Sequence, residues 1–413
     1  MMKRKLGHFS LFLLTILMTA CTQNKLKDQV TIQLSNPSSV SLYDHTFEIR
    51  IDTSVASQIE KPFQTVSGDE LLASQWIHAT DNIPYHRLFV QTDLPANSSI
   101  EITLIPVDSD SGNISPKKTL AELWYKTGGH FENNVYIGGE FQPFNSLRVP
   151  DECTDHSFYI KYEGPGWESD KVGYRLYLDW RNAIDIYGKK VNTMVLPYVG
   201  MDGYESYHKM GDWGMDILKV GPSLGIGTIG YWNGKNAERV TETNSIVCEI
   251  ATNGNLYSEV VIDYYGWKIA GTSVDLQSSL SITAGSRATH HVVTLSNDIG
   301  NLCTGIVKLD GAVLLSGDSA LQWNYIATWG VQSLANDSLG MAVIFRQNVV
   351  QEITEDENSH VVVLTPENKQ VDYYFLAAWE EEPEGIRNSV EFTDYLNDFV
   401  TLLNNPVTIN IRK

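Results

Sequence analysis

Four cysteines in 413 residues, Cys21, Cys153, Cys248 and Cys303, are too few and too scattered to form a disulfide framework, and no CxxC pair offers a structural metal site. Cations are scarce as well. Against 50 Asp and Glu stand 30 Lys and Arg, a formal charge of −20, which excludes a protein that coats nucleic acid through its phosphates. Beyond Ala20 no apolar run approaches the ~18 residues that cross a bilayer as a helix. No fixed-period repeat and no low-complexity tract is present. The chain is too long for one ordinary core, so two domains are expected.

The N-terminus does carry an address. Lys3, Arg4 and Lys5 precede an apolar stretch from Leu11 to Met18, and Thr19-Ala20-Cys21 follows, so residues 1–20 read as a signal peptide. Small residues before a cysteine resemble the lipobox of bacterial lipoproteins, which implies cleavage before Cys21 and its lipidation. Residues 21–29 would be a tether. Thr22-Gln-Asn-Lys-Leu-Lys lacks the acidic residues that favour surface export, so an outer-membrane lipoprotein facing the periplasm is expected, touching the membrane through its lipid alone.

Alternation of period two then begins. Val30-Thr-Ile-Gln-Leu, Phe47-Glu-Ile-Arg-Ile and Ser99-Ile-Glu-Ile-Thr-Leu-Ile predict a small immunoglobulin-like β-sandwich over 30–106. The polar stretch 107–118 reads as a linker. Beyond it, Ser157–Tyr162, Gly173–Asp179, Ala183–Tyr187, Leu256–Tyr264, Val274–Ile282, His291–Leu295, Leu339–Phe345, His360–Leu364 and Tyr373–Ala378 all read as strands, enough for two large packed antiparallel sheets over 119–413. The fold class expected is all-β. Asn388, with Glu391 three residues on, would cap one amphipathic helix carrying Phe392, Tyr395, Leu396, Phe399 and Leu403, and Val407–Ile411 a closing strand. In His290-His291 one imidazole should face inward and the other outward.

Two motif matches fail their context. Gly221-Pro-Ser-Leu-Gly225 fits GxSxG and Gly225-Ile-Gly-Thr-Ile-Gly230 fits GxGxxG. Neither is followed by a helical pattern, which both a nucleophile elbow and a dinucleotide fingerprint require. A tight, backbone-exposing loop is the reading left.

Ionisable and aromatic residues concentrate in 163–219. Sugar chemistry draws on this mixture: rings stack on pyranose C–H faces, carboxylates and imidazoles move protons, and guanidinium groups hold carboxylates. His208, beside Tyr207 and near Asp212 and Asp216, is the candidate acid or base, or else an imidazole hydrogen-bonded in a supporting loop. Trp167, Glu168, Asp170, Arg175, Arg181, Trp213, Asp216 and Lys219 are candidate sugar-binding residues, and His130 could reach the same cleft. Arg175 and Tyr177 share one strand face, Tyr174 and Leu176 the other. Glu163 with Glu168 or Asp170 could form a glycosidase pair. No cofactor is expected, with Ca²⁺ between Asp212 and Asp216 as the alternative.

Trp167-Glu-Ser-Asp-Lys-Val-Gly-Tyr-Arg175, and Tyr207-His-Lys with Asp216-Ile-Leu-Lys-Val-Gly-Pro222, resemble the signatures of the family known as domain of unknown function 4861. Ser169 and Lys171 stand where that family usually has Asn and Arg, which keeps the charge but weakens any bidentate role. The resemblance implies a galactose-mutarotase-like supersandwich, a shape shared with polysaccharide lyases and glycoside hydrolases. It also implies an oligosaccharide or polysaccharide partner, uronate-containing and pectin-like by association. An envelope polysaccharide lyase or glycoside hydrolase is therefore expected, with Tyr207, His208 and Asp212 catalytic; a non-catalytic glycan-binding lipoprotein is the alternative.

Overall fold

The computed structural model describes residues 29–412, apart from positions 58, 60, 61, 82 and 108–114. The expected signal peptide, the Cys21 lipidation site and most of the linker lie outside the described residues. Among those described, no helix is long and apolar enough to cross a membrane.

The N-terminal alternation folds as it reads. Val30, Ile32 and Leu34 point inward from Val30–Asn36 and meet Ile49, Ile51, Leu88 and Val90 in one core. That core lies between a three-stranded sheet and a five-stranded one. The closing strand, Thr408–Arg412, grouped with the large domain by its place in the sequence, instead pairs antiparallel with Val30–Asn36 and becomes an edge of the small sandwich. Both ends of the described chain are thereby tied together.

The remainder is all-β. A nine-stranded antiparallel sheet faces a six-stranded and a five-stranded sheet, with Trp167, Tyr174 and Ile186 meeting Val260, Leu280, Phe375, Ile306 and Val362 in a shared apolar layer. The one long helix among the described residues, Ser389–Asn404, starts as predicted: the Asn388 side chain accepts from the backbone N–H of Val390 and Glu391. Phe392, Leu396 and Val400 bury against Trp329, Ala342 and Leu376 of the nine-stranded sheet. His291 is fully buried and its neighbour His290 is not, as alternation demands.

The six-stranded sheet positions the chemistry. Its order is Gly214–Asp216, Ile184–Lys189, Val172–Leu176, Gly166–Ser169, Thr119–Glu132 and Val135–Phe144. Cross-strand register sets Arg175 opposite Asp185 and Tyr187 opposite Asp216. Odd and even positions divide the faces: Trp167, Tyr174 and Ile186 turn into the core, while Arg175, Asp185 and Asp216 turn outward, beneath loops from 158–163 and 190–213.

The glycine-rich decapeptide is a structural crossing. Ser223 is buried, donating to the Val220 carbonyl and accepting from Gly225 N–H, so it is no nucleophile. Gly227 has φ +67°, a Cβ there would overlap the Phe375 ring, its N–H donates to Gly305 O over 2.9 Å, and its carbonyl accepts from Tyr373 OH at 2.8 Å. Gly227→Ala should therefore cost on the order of 3 kcal/mol through left-handed strain and overpacking together. Equilibrium denaturation checks this; a change within 0.5 kcal/mol, roughly the range of an ordinary surface substitution, would contradict it.

Candidate functional site

Arg175 is the centre of the outer face. It is fully buried, and its guanidinium reaches Asp185 Oδ2 at 2.7 Å, Asp216 Oδ2 at 2.7 Å, Tyr177 OH at 2.6 Å and Tyr207 OH at 3.0 Å. The Tyr162 carbonyl accepts a further bond at 3.4 Å. Tyr177 OH in turn donates to Asp185 Oδ2 over 2.8 Å. Two carboxylates thus share one cation in a desolvated place, where both cannot ionise cheaply. Burial, and next the Asp185 charge, hold the Asp216 carboxyl well above the usual carboxylate range despite Arg175.

His208 stands over this lattice at the solvent side. Its Nδ1 lies 3.4 Å from Asp216 Oδ2, with the imidazole about half exposed, and its ring leans on Tyr207 at 4.5 Å between centroids. Partial burial, then Arg175, lower its pKa from 6.5, so it is neutral at neutral pH. Tyr207 is buried, its phenol pushed up to about 12 mainly by burial, and it is bonded to Arg175. It positions the guanidinium and does not itself reach a ligand in solvent.

A second ion cluster adjoins the first through Tyr177, whose ring carries Arg181 at 4.0 Å and Arg175 at 4.5 Å. Arg181 is held by Asp179, by Glu163 at 2.6 Å and by Asp155 at 2.9 Å. His156, mostly exposed, places Nδ1 2.6 Å from Asp155 Oδ1, and its backbone N–H donates to Glu163 Oε1 at 3.1 Å. His156 lies near enough to His208 for its charge to help lower the latter's pKa. The backbone here is strained. His156, Phe158, Tyr162, Glu163 and Asn182 all have positive φ, a concentration of left-handed non-glycine residues of the kind held where geometry matters.

The sequence candidates therefore separate. Arg175, Arg181, Tyr207, His208 and Asp216 converge. Trp167 does not: it faces the core, with Nε1 donating to Thr289 Oγ1 at 2.9 Å and its ring against Tyr174, because its position in the strand is of opposite parity to Arg175's partner. Glu168 is also enclosed, bonded to Lys189 Nζ at 2.7 Å and to the N–H groups of Val195 and Leu196 at 2.9 Å. It anchors a loop, so it cannot pair with Glu163 across a substrate. Asp170 accepts from Gly285 N–H at 2.7 Å and ties the sheet to its opposite number.

Asp212 and Lys219 are exposed and take part in none of these contacts. Trp213 packs against Tyr187 at 6.1 Å. His130 is exposed on the Thr119–Glu132/Val135–Phe144 hairpin, on the strand face opposite Phe131, whose ring meets Tyr136 and Tyr159. Asp185, Asp155 and His156 were missed as site residues. The adjacent Asp155-His156 was a signal in plain view, but its left-handed turn was not.

The calcium expectation does not fit. Asp216 faces Arg175 while Asp212 is exposed, and the two are not among the described groups whose ligand atoms converge. Asp155, His156 and Glu163 do converge, within 4.8 Å, yet Arg181 already lies on both carboxylates and stands where a cation would.

His156 and His208 are both exposed on this face. Beside it is a crevice of about 10 Å³ bounded by Cys153, Glu163 and Asp179, whereas a cavity of about 480 Å³ opens elsewhere, between Ser74–His78 and Thr252–Asn255. Trp180 and Tyr198 project from flanking loops, 56% and 83% exposed. The turn at Gly200, which follows Tyr198, lies against Tyr162 and Tyr207.

A family model described as Domain of unknown function (DUF4861) matches residues 34–409. No curated protein matches the chain. Among solved structures it is similar to a protein in the Glycosyl Hydrolase Family 38 from Enterococcus faecalis and to an alpha-mannosidase from Enterococcus faecalis V583, each at 10% identity and TM-score 0.45. The overlap covers 94% of this chain but 48% and 46% of those chains, so the chain spans about half their length.

Removing the shared cation should be severe. Arg175→Met leaves Asp185 and Asp216 buried without compensation, at about 3–5 kcal/mol. Asp216, already held above the usual carboxylate range, would lose the charge that opposes that rise, so the folded state binds more protons than the unfolded one and the deficit shrinks as pH falls. Denaturation at about pH 7 and about pH 4 checks this; a deficit that is equal or larger in acid would contradict it.

Proposed function

The chain belongs to the DUF4861 family, and from that premise and the outer-face geometry we propose that it is a carbohydrate-active protein whose two exposed imidazoles, His208 and His156, transfer protons at a glycan. One observation carries the reading: each imidazole is backed by a carboxylate, Asp216 at 3.4 Å and Asp155 at 2.6 Å, above an ion lattice that fixes both loops. The neutral His208 accepts a proton from the attacking water, and the Asp216 carboxyl group, 3.4 Å from its Nδ1, orients the ring for that step. His156, in its protonated form, donates to the departing glycosidic oxygen, so the C–O bond breaks as water adds and the proton count balances. Trp180 and Tyr198 offer ring faces to sugar C–H surfaces. An exposed face suits a stretch of polysaccharide lying across it.

Hydrolysis fits this arrangement better than β-elimination. An elimination needs the uronate carboxylate neutralised so that the C5 proton becomes acidic, and of the anchors expected from the sequence, Arg175, Arg181 and Lys219, the two guanidinium groups are already occupied by the chain's own carboxylates, leaving only the exposed Lys219. The second reading, a glycan-binding lipoprotein without turnover, draws on the same exposed rings, Trp180 and Tyr198.

Incubation with a panel of neutral and uronate polysaccharides distinguishes these readings. Release of reducing ends is expected from the parent protein, with a loss of at least roughly 100-fold in His208→Ala and His156→Ala while folding is retained. Absorbance of a new C4–C5 double bond would show elimination instead, and saturable binding of an oligosaccharide that stays intact would leave only the binder. Because His208 must be neutral to act as base and its pKa is lowered, the acid limb of the pH profile should fall below 6.5, the ordinary histidine value.

The export and anchoring expected from Lys3 to Cys21 belong to the same proposal: an outer-membrane lipoprotein facing the periplasm. Expressed in a bacterial host, the chain should partition with membranes and Cys21→Ala should release it to the soluble periplasmic fraction. Identical fractionation of the two would count against the anchor.

A further inference from the structure

Charge at the outer face bears on which glycan it takes. Asp155, Glu163, Asp179, Asp185 and Asp216 gather around two guanidinium groups, those of Arg175 and Arg181. Every N–H direction of Arg175 is occupied: Nε by Asp185, Nη1 by Tyr207 and the Tyr162 carbonyl, Nη2 by Tyr177 and both aspartates. Arg181 is likewise directed to Asp179, Glu163 and Asp155. The nearby lysines do not relieve this excess. Lys161 and Lys189 are buried against Glu122 and Glu168, Arg239, near Asp179, spends Nη1 on the Gly221 and Ser223 carbonyls, and exposed Lys209 and Lys219 are offset by exposed Asp202, Glu205 and Asp212. With Asp216 carrying a proton, acid still outnumbers base.

We propose that the glycan taken at this face is uncharged, and that the acidic surround rejects the uronate-containing, pectin-like class which the sequence resemblance implies. The inference rests on the sugar reading of the face. A carboxylate brought there meets several uncompensated negative charges through solvent, with Arg175 and Arg181 already taken by the chain's own carboxylates. At separations of about 10 Å, well inside the Debye length at low ionic strength, an excess of about three charges amounts to roughly a ten-fold penalty. A hydroxymethyl group at the same sugar position carries no such penalty and can still hydrogen-bond and stack.

Calorimetry on the intact protein with ligand pairs that differ only in that charge tests the inference: cello-oligosaccharides against β-1,4-glucuronan oligomers, and methyl-esterified against free α-1,4-oligogalacturonate. The uncharged member of a pair should bind on the order of ten-fold more tightly at low salt, and the gap should close towards ~0.5 M NaCl. Glu205→Gln with Asp212→Asn, both exposed and outside the ion lattice, should narrow it at low salt. Tighter binding of the acid member, or a gap that ignores both salt and these substitutions, would overturn the charge inference while leaving the sugar reading standing. No binding by any member of either pair would overturn both.

Discussion

Arg175 sits in the middle of a six-stranded sheet, without solvent, between two aspartates and three tyrosines. A buried cation is costly unless its partners supply both charge and hydrogen bonds, and a buried carboxylate is costly without a cation. Each member of the cluster is therefore tolerable only because the others are in place. The cluster also joins what the strands alone would not: Tyr162 belongs to the loop entering the sheet, Tyr207 to the loop that carries His208, and Tyr177 to the strand end leading to Arg181.

The two faces of that sheet divide the work. Trp167 and Tyr174 lock the inner face to the nine-stranded sheet by packing and by bonds to Thr289 and to the Arg287 carbonyl. The outer face, held rigid by its partner's packing, presents an ion lattice on which two imidazoles rest. A fixed lattice is what lets short, strained turns persist at His156 and Glu163, since strain of that kind lasts only where the surroundings over-determine it. Chemistry at such a place follows from its polarity: an imidazole at His208 with its pKa lowered, a carboxyl at Asp216 held well above its usual range, and two guanidinium groups already engaged by carboxylates.

Much of this was legible in the residues. Period-two alternation in 30–34 and 47–51 and the Asn388–Glu391 cap are local signals, and the structure keeps them. The opposite facing of Tyr174 and Arg175 followed from parity alone, and the match of residues 34–409 to the family model agrees with the signatures at Trp167 and Tyr207. Parity along one strand says nothing of which face a neighbouring strand turns inward, which is why Trp167 reads as available to a ligand and is not; Glu168 does share Arg175's face, but the loop at Val195 and Leu196 closes over it, a contact no local pattern reveals. The pairing of Thr408–Arg412 with Val30–Asn36 spans nearly the whole chain, beyond the reach of any local pattern. His156 depends on a positive φ, and Asp185 on cross-strand register with Arg175. Neither leaves a trace in spacing.

His208 and His156, on the proposed reading, share one ligand-contacting face above the Arg175 lattice. Two-dimensional NMR of the histidine ring resonances, followed through titration with a neutral oligosaccharide, tests it most directly. His208 and His156 should shift together with a common saturation curve while buried His291 stays unmoved. Shifts confined to one of the two, or to histidines of the small sandwich such as His78 and His86, would contradict it.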